Sequence, residues 1–344
     1  MDLKAVRKKA RELAKGSCRV CPLCDGRACA GETPGMGGTG SGSSFMNNVR
    51  AWRNIRLSSR LIHKVHFPKT EVEFFGFQLK APLLVAPIGG IAFNLGQAMP
   101  EADYQKAIAF GAVDAGILAG TPDAAPMEVM EIGLAQAQAL GSGQTIPFIK
   151  PWEPERFIKV LQMCAKVGSK VVCCDLDSVG LITLRLMGCP AYPKDQAELA
   201  AIVEAAHRLG LAFIVKGVMG LPDAEACVAA GVDGVLVSNH GGRVLDGVPG
   251  AAEVLPAIAQ KLKGRVKILV DGGIRSGEDI LKALALGADA VMVGRPFAIM
   301  AIGGGREAVA YYAENLRSQL ERAMIMTGCP DVAAANSELL WNGV

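Results

Sequence analysis

The stretch Gly234-Val235-Leu236-Val237-Ser238-Asn239-His240-Gly241-Gly242-Arg243 runs from a short apolar segment straight into a polar, glycine-bearing turn. Two later stretches repeat the pattern: Ile268-Leu269-Val270-Asp271-Gly272-Gly273-Ile274-Arg275 and Val291-Met292-Val293-Gly294-Arg295-Pro296. A brief apolar run without polar alternation reads as a strand buried on both faces. Working outward, such runs fall at 83–86, 116–118, 146–149, 170–174, 212–216, 234–237, 266–270 and 290–293, with amphipathic stretches between them. That is the pattern of βα units on a parallel sheet, and eight of them close a barrel. The fold expected is α/β, a (β/α)8 TIM barrel over 81–344 behind an N-terminal extension over 1–80. A doubly wound open sheet is the rival, disfavoured because no Gly-x-Gly-x-x-Gly turn follows the first strand.

Composition narrows the function classes. The 344 residues are 51% hydrophobic and 20% charged, with a formal net charge of +3, so a large core is affordable and no basic stripe points to nucleic acid. A small molecule is the expected partner. No apolar run reaches the length of a membrane span. The Lys/Arg-rich segment 1–15 lacks the apolar core of a secretory signal and reads as an exposed basic helix, so a cytoplasmic location is expected. Segment 34–44 is nearly all Gly, Ser, Thr and Pro and reads as flexible or turn-rich. Residues 71–80 read as a short hairpin plugging the bottom of the barrel.

Barrel chemistry sits at the C-terminal ends of the strands. There the fifth strand ends in Lys216, the sixth leads to Ser238, His240 and Arg243, the seventh to Asp271, Gly272, Gly273 and Arg275, and the eighth to Gly294 and Arg295. The fourth ends near Asp175 and Asp177, two apart and so on one side. Glycines beside an Arg on the last two loops suit a phosphate, although the glycines could serve only tight turns. A Lys at the end of a buried strand needs an anion, either a ligand or Asp175 or Asp177. His240 offers a base and Arg243 a planar fork for a carboxylate.

The run from Phe213 to Pro296, with Phe213-Ile214-Val215-Lys216-Gly217, Ser238-Asn239-His240-Gly241-Gly242-Arg243, Leu245-Asp246-Gly247-Val248-Pro249, Asp271-Gly272-Gly273-Ile274-Arg275 and Gly294-Arg295-Pro296, closely resembles the FMN-dependent α-hydroxy acid dehydrogenase family. Pro82-Leu83-Leu84-Val85-Ala86-Pro87 extends the likeness to the first strand. The resemblance implies an FMN enzyme that oxidises a lactate-like (S)-2-hydroxy acid to the 2-oxo acid, with an unidentified electron acceptor and a homo-oligomeric, tetrameric assembly. It implies His240 as the base, Asp177 as its partner, Arg243 on the substrate carboxylate, and Lys216 at the edge of the flavin that gains charge. Pro87, Ile88, Gly89, Asp175, Ser238, Asp271, Gly272, Gly273, Arg275, Gly294 and Arg295 are the implied FMN contacts. The chain departs from the family's oxidases at Ile88-Gly89, at Pro122, at Asp175 and on the third strand, where Gln and Tyr are matched to about Pro147 and Ile149. The second carboxylate-binding Arg is matched only to Arg185.

Cys18, Cys21, Cys24 and Cys29 form C-x2-C-x2-C-x4-C, closer to an iron–sulfur loop than to a zinc ribbon. Metal binding and free thiols stand as equal readings. Cys164, Cys173, Cys174 and Cys227 read as core residues. Two other functions are open: an FMN-dependent isomerase of the isopentenyl diphosphate type, and a phosphate-binding or electron-transfer barrel without hydroxy acid chemistry.

Overall fold

The protein, seen in a computed structural model that describes residues 1–141, 143–189 and 191–341, is built on a closed eight-stranded barrel. A hairpin, β1 (Val72–Phe74) and β2 (Phe77–Leu79), precedes it. The barrel strands are β3 (Leu83–Val85), β4 (Leu118–Thr121), β5 (Thr145–Ile149), β6 (Val171–Asp175), β7 (Ala212–Val218), β8 (Gly234–Val237), β9 (Lys267–Val270) and β10 (Ala290–Val293). They pair in parallel in chain order, and β10 closes on β3. The open doubly wound sheet is thereby excluded. The second strand starts later than its apolar run suggests, because Gly116, at φ 71°, is still turning the chain out of the preceding helix.

Alternation along each strand sorts the core into two layers. Leu84, Leu118, Ile146, Phe148, Cys173, Ile214, Leu236, Leu269 and Met292 fill the barrel interior, while their neighbours in sequence face the surrounding helices. Phe74, Phe77 and Leu79 of the hairpin join the interior layer. A Cβ on Gly234, the first residue of β8, would meet Phe75, so the hairpin closes the N-terminal end of the barrel. The opposite end is left for the site.

Two parts of the extension differ from the sequence expectation. The basic helix Leu3–Leu13 is exposed on one side only; Val6 and Ala10 are buried, and Gly303 of the C-terminal helix Arg295–Thr327 has no room for a side chain against Val6. Segment 34–44 is turn-rich but docked on the barrel. Ser41 N and Oγ donate to Asp246 at 2.6 and 2.7 Å, Ser43 Oγ donates at 2.6 Å, and Thr39 N donates to Gly242 O at 2.9 Å. Small residues here permit close approach, and the hydroxyls replace the apolar contacts that a flexible linker would lack. Cys164, Cys173, Cys174 and Cys227 are buried core residues.

Candidate active site

A cleft of about 1320 Å3, its open mouth included, lies at the C-terminal ends of the strands. Its floor is an ion network set by strand register. Lys216 on β7 pairs directly with Asp175 on β6 in the sheet, and its Nζ lies 2.6 Å from Asp175 Oδ1 and 3.2 Å from Asp177 Oδ1. Burial alone would lower the lysine pKa, but the attraction of Asp175, Asp177 and Asp271 outweighs it and holds the ammonium above its ordinary range. Burial pushes Asp175 upward, and the charges of Lys216, His240 and Lys150 overcome that push and hold it ionised well below the usual carboxylate value. Asp175, Asp177 and His240 could in principle ligate a metal, but the Lys216 ammonium already supplies the positive charge among them.

His240 Nδ1 lies 2.9 Å from Asp177 Oδ1 and 2.9 Å from Lys216 Nζ. With its proton on Nδ1 the ring donates to Asp177, which leaves the lone pair on Nε2 to act as base. The backbone that presents the ring is strained: His240, Gly241 and Gly242 have φ of 56°, 63° and 78°. A non-glycine residue in this region costs about 1–2 kcal/mol and persists where the surroundings hold it. Here Asn239 Oδ1 accepts from Gly242 N at 3.1 Å and from Asn48 Nδ2 at 2.7 Å, so the helix Ser43–Asn54 clamps the turn. A Cβ on Gly242 would sit 2.3 Å from Phe45 N, which is why glycine stands there.

Arg243 lines the same cleft and donates to Asn94 Oδ1 at 2.7 Å. Its Nε is buried without a partner, and burial followed by the nearby Arg295 pushes its pKa down to about 10. A carboxylate would satisfy both the geometry and the charge.

The residues implied as FMN contacts largely converge. Pro87, Ile88, Gly89, Asp175, Lys216, Asp271, Gly272, Gly273, Arg275, Gly294 and Arg295 all line the cleft. Asp271 Oδ1 is buried without a partner, a position that suits a ligand hydroxyl, and burial raises this carboxyl. Gly294 caps the helix Arg295–Thr327, whose N-terminus suits a phosphate. Arg275 donates to Cys24 O and Ile274 O, and Arg295 to the carbonyls of Met36, Gly37 and Gly241. Each guanidinium still has free N–H donors. Gly272 and Gly273 have a second reason to be glycine: a Cβ would meet Asn48 at 2.8 and 2.5 Å. An apolar bench, an orphaned carboxylate oxygen, a buried cation and a phosphate-sized positive end together fit FMN.

Three placements differ from the sequence reading. Ser238 is fully buried and does not line the cleft; its hydroxyl accepts from His240 N at 3.1 Å and so supports the base. Arg185 is exposed on the helix Ile182–Leu186 and is not among the cleft residues, so it supplies no second carboxylate clamp. On β5 the cleft residues are Phe148 and Lys150, whereas Ile149 packs outward, so the match to Pro147 and Ile149 is one residue out of phase. Lys150 was missed although it ends a buried strand as Lys216 does. Its Nζ lies 3.2 Å from Asp175 Oδ2. Its backbone N–H donates to Asp123 Oδ2 at 3.0 Å, which also accepts from Trp152 Nε1 at 2.6 Å.

Cys18, Cys21, Cys24 and Cys29 line one common pocket beside the cleft, and all four are free and partly buried. Burial pushes the Cys29 thiol up to about 11.

A profile of the family "FMN-dependent dehydrogenase" matches residues 35–185 and 190–342. The chain is 32% identical over 327 residues to an L-lactate oxidase of Lacticaseibacillus rhamnosus, covering 86% of this chain and 85% of that one. It is 29% identical over 328 residues to a 4-hydroxymandelate oxidase of Amycolatopsis orientalis, covering 87% and 90%. A crystal structure of mandelate oxidase with (S)-2-phenylpropionate superposes with a TM-score of 0.75 at 26% identity, covering 98% and 97%. The closed barrel, the His240–Asp177 pair over Lys216 and the profile match across most of the chain agree, and the protein belongs to the FMN-dependent dehydrogenase family.

Proposed function

We propose that this chain oxidises an (S)-2-hydroxy acid of the lactate type to its 2-oxo acid. One observation carries the reading: a base with its carboxylate partner, His240–Asp177 at 2.9 Å, shares a cleft and a loop with Arg243, whose buried Nε lacks a partner. Bound FMN supplies the two-electron acceptor for the hydride that leaves the substrate's Cα. Arg243 holds the substrate carboxylate, and His240 Nε2 takes the hydroxyl proton. Asp177 stabilises the imidazolium so formed, and Lys216 keeps a positive charge on the cleft floor throughout. The relatives named for lactate and 4-hydroxymandelate support this class of acid.

The same reading gives the four N-terminal cysteines a redox part, as ligands of an iron–sulfur cluster, and sends electrons to an acceptor other than dioxygen. Ten free cysteines suit a reducing, cytoplasmic setting. Leu61, Ile62 and Phe67 are 73%, 102% and 94% exposed, a surface that a second copy of the chain would cover. The test is anaerobic mixing of FMN-loaded protein with lactate, glycolate and mandelate. Bleaching of the flavin by at least one is expected, and no bleaching by any 2-hydroxy acid would refute the proposal.

A further inference from the structure

The cysteine loop lies outside the family match, which begins at residue 35, so nothing in the shared reaction accounts for it. Its four cysteines nevertheless line a single pocket of about 430 Å3 with Met36, Ile299 and Arg295. Thiols scattered for packing would not converge on one cavity.

The four sulfurs are not gathered as closely as a zinc ion requires. A zinc ion bonded at about 2.3 Å holds four sulfurs roughly 3.8 Å apart. Among the described residues, no three of these cysteines have ligand atoms within 4.8 Å of one another. A cube of iron and sulfide, several ångströms across, holds its cysteines farther apart, and the short C-x2-C-x2-C run is of the kind that wraps such a cube. The loop is also fixed from outside. Arg11 donates to Arg19 O and Val20 O at 2.9 and 3.0 Å, which holds Val20 at φ 46°, and Val20 N points at Cys18 Sγ at 3.5 Å. Arg7 donates to Cys21 O, and Arg275 to Cys24 O at 3.1 and 2.8 Å. Arg295 in the wall, with Arg7, Arg11 and Arg275 on the loop carbonyls, brings positive charge close to the four sulfurs, with Asp25 the acidic residue of the same lining.

Met36 and Arg295 line both the cysteine pocket and the cleft, so one layer of side chains separates the two. We infer that Cys18, Cys21, Cys24 and Cys29 hold a [4Fe–4S] cluster through which electrons leave the flavin for an external one-electron carrier. The exit role rests on the proposed hydroxy acid reaction; the cluster site does not. Oxidation of R–CH(OH)–CO2− to R–CO–CO2− breaks the C–H and O–H bonds, forms the C=O bond, and releases two electrons and two protons. The electrons pass singly through the cluster, so two molecules of oxidised carrier are reduced per hydroxy acid, and the protons go to solvent.

The test uses the whole protein, purified anaerobically, and a second portion treated anaerobically with ferrous iron and sulfide. Iron, acid-labile sulfide and zinc are quantified, and EPR spectra are recorded after dithionite and, separately, after lactate. Expected are about four iron and four sulfide per chain, a reduced-cluster signal with either reductant, and loss of that signal in Cys21→Ser and Cys24→Ser but not in Cys189→Ser. Protein that takes up no iron and sulfide under both conditions, or about one zinc per chain instead, overturns the cluster. A cluster that stays oxidised while lactate bleaches the flavin overturns the exit role. A dithionite-reducible cluster beside a flavin that no hydroxy acid bleaches refutes the proposed function and leaves the cluster site standing.

Discussion

Replacing Lys150 by Met removes one of the two lysine ammonium groups paired with Asp175 and leaves the shape of the side chain nearly unchanged. Stranding a buried charge costs about 3–5 kcal/mol in general; because Lys216 stays on the other oxygen, the expected loss is about 2–3 kcal/mol. That remaining contact is 2.6 Å, against 3.2 Å for the contact removed. The sign with pH follows from linkage. Asp175 is depressed in the folded protein, so its contribution is present above the unfolded value of about 4 and is lost as pH falls through the folded value. Lys150→Met raises the folded value, so acid unfolding should begin at higher pH. Urea unfolding of Lys150→Met, Asp175→Asn and the double variant gives a double-mutant cycle, in which the double variant should lose about 1–2 kcal/mol less than the sum. Strict additivity, with no shift of the acid limb, would show that the pair is not coupled and would refute the account of the cleft floor.

Asp177→Asn should leave FMN content unchanged and slow flavin reduction about 10²–10⁴-fold, because the base loses its orienting carboxylate; stopped-flow bleaching rates check this. Arg243→Met should weaken the hydroxy acid by about 1.5–3 kcal/mol, or roughly 10–150-fold in apparent affinity, as expected for lost hydrogen bonds to a charged group, read from the concentration dependence of bleaching. Gly242→Ala places a Cβ 2.3 Å from Phe45 N at a φ of 78° and should destabilise the fold by about 2–4 kcal/mol, seen as a lower calorimetric melting temperature.

The sequence carried the eight strands because buried parallel strands announce themselves as uninterrupted apolar runs, and it carried His240, Arg243, Lys216 and Asp177 because each follows such a run. It did not carry the phase of β5. A strand buried on both faces gives no alternation to say which residues face inward, so Phe148 and Lys150 were displaced by one position. Ser238 misled because position near a strand end does not fix where a side chain points, and Arg185, matched only by resemblance, lies exposed on the helix Ile182–Leu186, well beyond the end of β6. The role of segment 34–44 was hidden because its contacts are backbone and hydroxyl bonds to Asp246, about 200 residues away in sequence, which no local pattern encodes. The four cysteines were legible as residues of ligand type, but their convergence beside Arg295 exists only in three dimensions.

The central claim is that His240 is the base of a flavin-reducing reaction. Anaerobic stopped-flow bleaching of FMN-loaded protein by lactate, compared between the unaltered chain and His240→Ala, tests it directly. Equal FMN content with bleaching slowed at least about 10²-fold is the predicted result, and bleaching that proceeds at the unaltered rate would contradict it.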